Sequence, residues 1–484
     1  MRDDKRTTST SRVPSARRGH IYAVWAGVCA ALLLLLSACG DSPPPPAPIT
    51  PTTLAPATLT PRPATSADWT MYHANAARTG FIAGAPDPRS LTRLWQTPLD
   101  GAVYAEPLVV RGHVLVATEH DTLYALDART GQVQWRTSVG QPVPLSALPC
   151  GNIDPLGITG TPVYDPRTNL VFAVAEITGS AHELVGLDPD TGQVKVRRSV
   201  DPPGADPTVL QQRAALALAG DHVYIAYGGL FGDCGNYHGT VVAARTDGAG
   251  VLLTYQVPTQ REAGIWATPG LVLDAQGNLY VSVGNGAATG GDWDHSDSIL
   301  RLSPTLQLQD GFAPSSWPQE NAGDADLGSM GPVLLPSGLV YANGKGGQGY
   351  LLRADHLGGV GGQLQTLQVC RAYGGAAVSG QSLFIPCTNG LRQLTLTSAT
   401  STPSVSLGWH APAQVTGSPI VAGQTVYSLD TSPSGTLYAL DAATGAVRAT
   451  LPVGPISRFA TPTLSQRTLF IGTLAGIVAV TISA

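Results

Sequence analysis

Leu123-Tyr-Ala-Leu-Asp-Ala-Arg-Thr-Gly131-Gln-Val-Gln-Trp135 decides the fold, because the chain repeats it. Leu184-Val-Gly-Leu-Asp-Pro-Asp-Thr-Gly192-Gln-Val194 and Leu437-Tyr-Ala-Leu-Asp-Ala-Ala-Thr-Gly445-Ala-Val447 are near copies. Each reads as a strand, a tight turn and a returning strand. Leucine and tyrosine supply β-propensity, and Asp-x-x-Thr-Gly supplies the turn. The aspartate can bond the backbone that follows it, and glycine takes the positive φ that closes the hairpin. Recurrence makes the architecture a tandem array of small sheets.

Working outward, the chain sets a rhythm of units. A small or acidic residue followed by proline recurs at Glu106-Pro107, Thr161-Pro162, Thr268-Pro269, Gly331-Pro332, Ser418-Pro419 and Thr461-Pro462, each ahead of an apolar strand such as Leu115–Ala117 or Leu469–Ile471. Two units without the proline begin near Arg213 and Tyr373. The eight units start near residues 101, 157, 211, 264, 326, 372, 415 and 458, spaced roughly 43 to 62 residues apart, as propeller blades with loop insertions are. Proline belongs on an edge strand, and the first strand of a propeller blade is an edge facing the channel. The last unit offers three strands, and Leu91–Leu99 reads as an orphan fourth. The expected fold is all-β: an eight-bladed propeller of four-stranded antiparallel blades, closed by this N-terminal strand pairing with the last blade.

Composition agrees. The 484 residues are 43% hydrophobic and 13% charged, with 56 glycines and 39 prolines, which suits many strands and turns. The leader, residues 1–38, has basic Arg2, Lys5, Arg6, Arg12, Arg17 and Arg18 against Asp3 and Asp4, net +4, then an apolar run from Ile21 to Leu36. That is a signal-peptide pattern. Leu36-Ser-Ala-Cys39 resembles a bacterial lipobox, which implies cleavage before Cys39 and lipid attached to it. Residues 39–67 follow as a spacer, with nine prolines and six threonines from Asp41 to Ala67. The propeller is expected over 68–484.

Removing the leader's +4 from the whole-chain −5 leaves −9, which argues against nucleic acid as a partner. The membrane would be reached through the lipid on Cys39, placing the protein on the extracytoplasmic face of a cell membrane or outer membrane. Cys150, Cys234, Cys370 and Cys387 remain as disulfide candidates; Cys370–Cys387 would join adjacent strands, leaving Cys150–Cys234. No Cys-x-x-Cys zinc spacing occurs. The acidic run Gly291–Asp297 offers Asp292, Asp294 and Asp297 as weak calcium candidates, without the closing glutamate of a calcium loop. Ala322–Asp326 is a lesser one. Gly344-Lys-Gly-Gly-Gln-Gly349 reads as a turn, because no strand-to-helix setting of a phosphate loop follows. Innermost strand ends line a propeller's mouth, so Tyr104, Glu106, Arg213, Trp266, Arg458 and Phe459 are the candidates for contacting a ligand or partner.

The Leu-Tyr-Ala-Leu-Asp-x-x-Thr-Gly-x-x-x-Trp motif resembles the quinoprotein-like, pyrroloquinoline-quinone-type propeller repeats. Asp68-Trp-Thr-Met-Tyr-His-Ala-Asn-Ala-Ala-Arg-Thr-Gly80 looks like the segment that leads into such propellers. The resemblance spans about 68–484, with blades between 205 and 410 degenerate. It implies either a quinone-dependent alcohol or sugar dehydrogenase, using PQQ with calcium, or a non-catalytic scaffold such as the lipoprotein that assists outer-membrane barrel assembly. The vicinal disulfide and the haem motif Cys-x-x-Cys-His are absent from the sequence, and no calcium ligands map onto it. The expectation is therefore a monomeric, lipid-anchored binding or scaffolding module of the cell envelope, without cofactor, whose partner is an envelope protein or a carbohydrate.

Overall fold

The computed structural model describes residues 67–85, 87–398 and 402–483; the leader, Cys39 and nearly all of the spacer lie outside the described residues. Short apolar strands separated by turns pair in sequence order into eight sheets. Blade 1 is Leu108–Val110, His113–Thr118, Thr122–Asp127 and Val133–Ser138; the other seven repeat this antiparallel meander. Blade 8 is completed as expected. Ser90–Pro98 pairs antiparallel with Gly476–Ser483, from Ser90 opposite Ser483 to Pro98 opposite Gly476, and so hides the last edge. Short fifth strands extend blades 3, 4 and 7, the last through Phe81–Ile82 running parallel to Ile420–Ala422.

Each blade is apolar on both faces, so the core lies between blades. Val163, Phe172 and Leu184 of blade 2 meet Val223, Ile225 and Val242 of blade 3, all buried. Ala217, Tyr224 and Val241 of blade 3 meet Leu279, Val281 and Leu300 of blade 4 in the same way.

The repeated turn fastens these layers. Asp127 Oδ1 accepts the backbone N–H groups of Arg129 and Thr130 and the Thr130 hydroxyl, and Asp441 does the same with Ala443 and Thr444. Gly131, Gly192 and Gly445 take φ of +72°, +71° and +73°. On each turn sits a tryptophan from the preceding blade. Trp95 Nε1 donates to Ala128 O at 3.1 Å, Trp135 Nε1 to Pro189 O at 2.9 Å and Trp409 Nε1 to Ala442 O at 3.0 Å. Trp95 rides on the closing strand, so the ring is locked by the device that joins its blades. Gly131→Ala would put a Cβ 2.6 Å from the Trp95 ring at a φ that L-residues avoid. The expected cost is about 1–3 kcal/mol, read as a lower urea midpoint with unchanged slope.

The segment before the first blade plugs one end of the channel. Trp69 and Val109 exchange backbone bonds, and Tyr164 N, Leu273 N, Val378 N and Val421 N donate to Thr70, Ala76, Thr79 and Gly80. Arg78, 4% exposed, donates to Tyr72 O, Leu216 O and Leu271 O. These bonds tie the plug to blades 1, 2, 3, 4, 6 and 7.

Candidate functional site

With one end plugged, the opposite mouth is where the channel opens. It lies on the side where the chain enters each innermost strand, and every blade contributes to it. Tyr104 comes from blade 1, Thr159 from blade 2, Arg213 and Phe231 from blade 3, Trp266 from blade 4, Lys345 from blade 5, Tyr373 from blade 6, Thr416 from blade 7, and Arg458 and Phe459 from blade 8. Three adjoining cavities of about 260, 250 and 400 Å3 share Arg458 and Phe459.

Five of the six candidates meet here. Arg213 Nε donates to Trp266 O at 3.2 Å, and its guanidinium carbon lies 5.5 Å from the Trp266 ring centre and 5.8 Å from that of Phe459. Arg458 lies 4.6 Å from the Phe459 ring and 5.4 Å from that of Tyr373. These are cation–π distances. Among the described residues neither guanidinium has a carboxylate partner. Burial, and then the neighbouring charge of Arg458, lower the Arg213 pKa to about 10.

Glu106 corrects the expectation. It is 2% exposed and faces the plug, where Oε2 accepts His73 N at 2.8 Å. Its place at the start of an inner strand suggested the mouth, but its side chain turns towards the plug. Burial raises its pKa well above the carboxylate range, against the pull of the His73 N–H and Arg78.

The acidic candidates do not form a cation site. Asp292 is exposed, Asp294 accepts from Ser296 and Thr259, and Asp297 accepts Leu327 N at 3.0 Å. Among the described residues no three His, Cys, Asp or Glu side chains converge as a metal needs. The sequence treats the 322–326 run and the 344–349 turn separately, whereas the fold joins them. Lys345 Nζ lies 2.5 Å from Asp324 Oδ1 and 2.7 Å from the fully buried Asp326 Oδ2. Burial opposes its charge, but the two aspartates hold its pKa above the lysine value.

Both disulfides form as paired from the sequence, and both rim the mouth. Cys150–Cys234 ties the connection between blades 1 and 2, which brings Asn152 and Ile153, to the blade 3 hairpin bearing Phe231 and Asp233. Cys370–Cys387 stands beside Arg371, Tyr373 and Thr388.

The fold and site thus define a closed eight-bladed propeller, plugged at one end and lined with arginine and aromatic groups at the other. A family model described as outer membrane protein assembly factor BamB matches residues 82–342, more than half of the chain, and the chain belongs to that family of PQQ-like propeller repeats. No curated protein sequence matches it. Among solved structures, a europium-containing methanol dehydrogenase is 15% identical with a TM-score of 0.67, covering 87% of this chain and 98% of that one. The quinohemoprotein alcohol dehydrogenase of Comamonas testosteroni is 15% identical at a TM-score of 0.63, covering 85% and 80%. BamB of Moraxella catarrhalis is 14% identical at 0.54, covering 81% and 99%. At such identities the likeness is one of fold.

Proposed function

We propose that this chain is an extracytoplasmic binding module, tethered to the envelope by lipid on Cys39, which holds a partner at its open mouth and turns over no substrate. The observation that carries the reading is the pair of guanidinium groups set among aromatic rings with no carboxylate of their own, inside a rim stapled by two disulfides. Arginine and aromatics are the residues enriched where partners bind tightly. The family description, that of an assembly factor, is in keeping with such a role.

A planar quinone with calcium fits this mouth poorly. Trp266, the ring at hand for a floor, is 8% exposed; it packs against Gly228, Gly264 and Gly284, and Arg213 lies over it. Of the carboxylates that line the opening, Asp324 is engaged by Lys345 and Asp233 accepts the Tyr237 hydroxyl at 2.6 Å.

Two measurements test the reading. The full-length protein mixed with PQQ and Ca2+ is expected to take up no stoichiometric quinone and to show no dye-linked oxidation of alcohols or sugars; uptake with turnover would sink it. Cys39→Ala is expected to move the protein from the membrane fraction to the soluble one, and retention would refute the tether.

A further inference from the structure

The mouth's arginines share the Phe459 ring, and burial and like charge both work against Arg213. Arg213, half-buried and with no carboxylate in contact, costs free energy that an arriving anion would recover, and guanidinium takes carboxylate in a bidentate fork. The surroundings bear on what carries that anion. Phe231 and Leu474 are 53% and 42% exposed, and with Ile153 they make an apolar shelf beside Arg213 and Arg458. The three cavities adjoin across the mouth, from Phe231 and Asp233 at one side to Arg371 and Thr388 at the other. A trough with charge on its floor and apolar side chains on its rim suits an extended chain with alternating acidic and apolar groups. Asn152, Gln211 and Asp233 also line the cavities and offer groups that a saccharide's hydroxyls would use, so the choice of a peptide rests on the two cations and the apolar shelf.

We infer that the open mouth takes an extended acidic polypeptide segment, whose carboxylates pair with Arg213 and Arg458 while neighbouring apolar side chains lie on Phe231, Ile153 and Leu474. The inference rests on the binding-module reading and specifies its partner. Arg213 is pre-positioned by its bond to Trp266 O and by the rings around it, and the Cys150–Cys234 link holds the shelf in place, so little ordering is left for the moment of binding.

The test is calorimetric titration of the full-length protein with a blocked pentapeptide alternating leucine or phenylalanine with two glutamates, against its glutamine counterpart and against tri-galacturonate. The glutamate peptide is expected to bind about ten-fold or more tightly than the glutamine peptide, and less tightly as salt rises. Arg458→Gln and Arg213→Gln should each remove about ten-fold of that affinity, whereas Arg353→Gln, whose guanidinium pairs with Asp355 on the surface, should change nothing. Arg458 is exposed, so its variant carries the test if Arg213→Gln fails to fold, and Arg213→Lys should retain part of the binding. Equal binding of the two peptides, no binding at millimolar concentration, or tighter binding of tri-galacturonate would each overturn the inference. Such results leave the module reading standing, whereas quinone turnover would remove that reading itself.

Discussion

Arg78→Met is expected to lower the stability of the propeller by about 3–5 kcal/mol, because each buried carbonyl left without a donor costs about 1–3 kcal/mol. Three carbonyl groups lose their donor at once: Tyr72 O within the plug, Leu216 O on blade 3 and Leu271 O on blade 4. Glu106, beneath the plug, loses its nearest positive charge. Methionine fills most of the space, so the loss comes from unsatisfied polar groups more than from a cavity. Urea unfolding should show the drop as a lower midpoint. A variant within about 0.5 kcal/mol of the parent would mean that the plug's arginine is not what pins it.

The ring was legible in the sequence because its punctuation is local. Proline stands immediately before the inner strand at Leu108, Val163, Val333, Ile420 and Thr463, and each surviving Asp-x-x-Thr-Gly turn makes its hairpin without help from the rest of the chain. What was not legible depends on residues distant in sequence. Trp95, Trp135 and Trp409 each read as a residue of its own strand, whereas each one's work is on the next blade. That pairing accounts for the eroded middle blades. Where Asp-x-x-Thr-Gly is missing the tryptophan is replaced too; at blade 3 Arg198 takes over, donating to Ala249 O and Gly250 O. The mouth was half legible. Strand starts located Tyr104, Arg213, Trp266, Arg458 and Phe459, but the rule carries no information on which way a side chain turns, so Glu106 was misplaced. In the sequence Lys345 belongs only to a turn, because its aspartates lie some twenty residues upstream.

Stability is expected to fall as pH rises from about 5 to 9, and the cause lies under the long connection between blades 1 and 2. Glu119 and Asp121 occupy the hairpin turn of blade 1, which in isolation would be wet. The connection folds over it: Val139 N donates to Asp121 O, Ile158 N to Thr118 O, and Gly157 N and the Thr159 hydroxyl to Glu119 Oε2. Both residues end up at most 2% exposed, with Glu119 Oε1 and both Asp121 oxygens lacking hydrogen-bond partners. Glu176 stands nearby, with His182 between it and Asp201. Burial raises the Glu119 carboxyl to about 8, with Glu176 adding to it; burial, then Glu119 and Glu176, raise Asp121 to about 8. Asp297, buried against Asp326, reaches about 9. These groups hold their protons in the folded state at pH values where the unfolded chain has released them. Their contribution is therefore complete below about pH 4 and is lost as pH climbs through 8 to 9. His182 acts in the same sense. Burial opposes its charge, but Glu176 and Asp201 hold it at about 9, so its share too is lost on the alkaline side. Asp127 and Asp441, lowered by turn hydrogen bonds and arginine, act oppositely below about pH 4, and His73, which burial lowers to about 3, acts oppositely up to about pH 6.5, so the fall is steepest above that. The fall should be seen as urea midpoints that decrease from about pH 5 to 9. Asp121→Asn keeps the shape and removes one of the titrating carboxyls, so it should flatten the profile and stabilise the protein at pH 8 while changing little at pH 5. A profile that rises between pH 5 and 8, or an Asn variant with the parent's slope, would show that these carboxyls are ionised in the folded protein and that water reaches them beneath the connection.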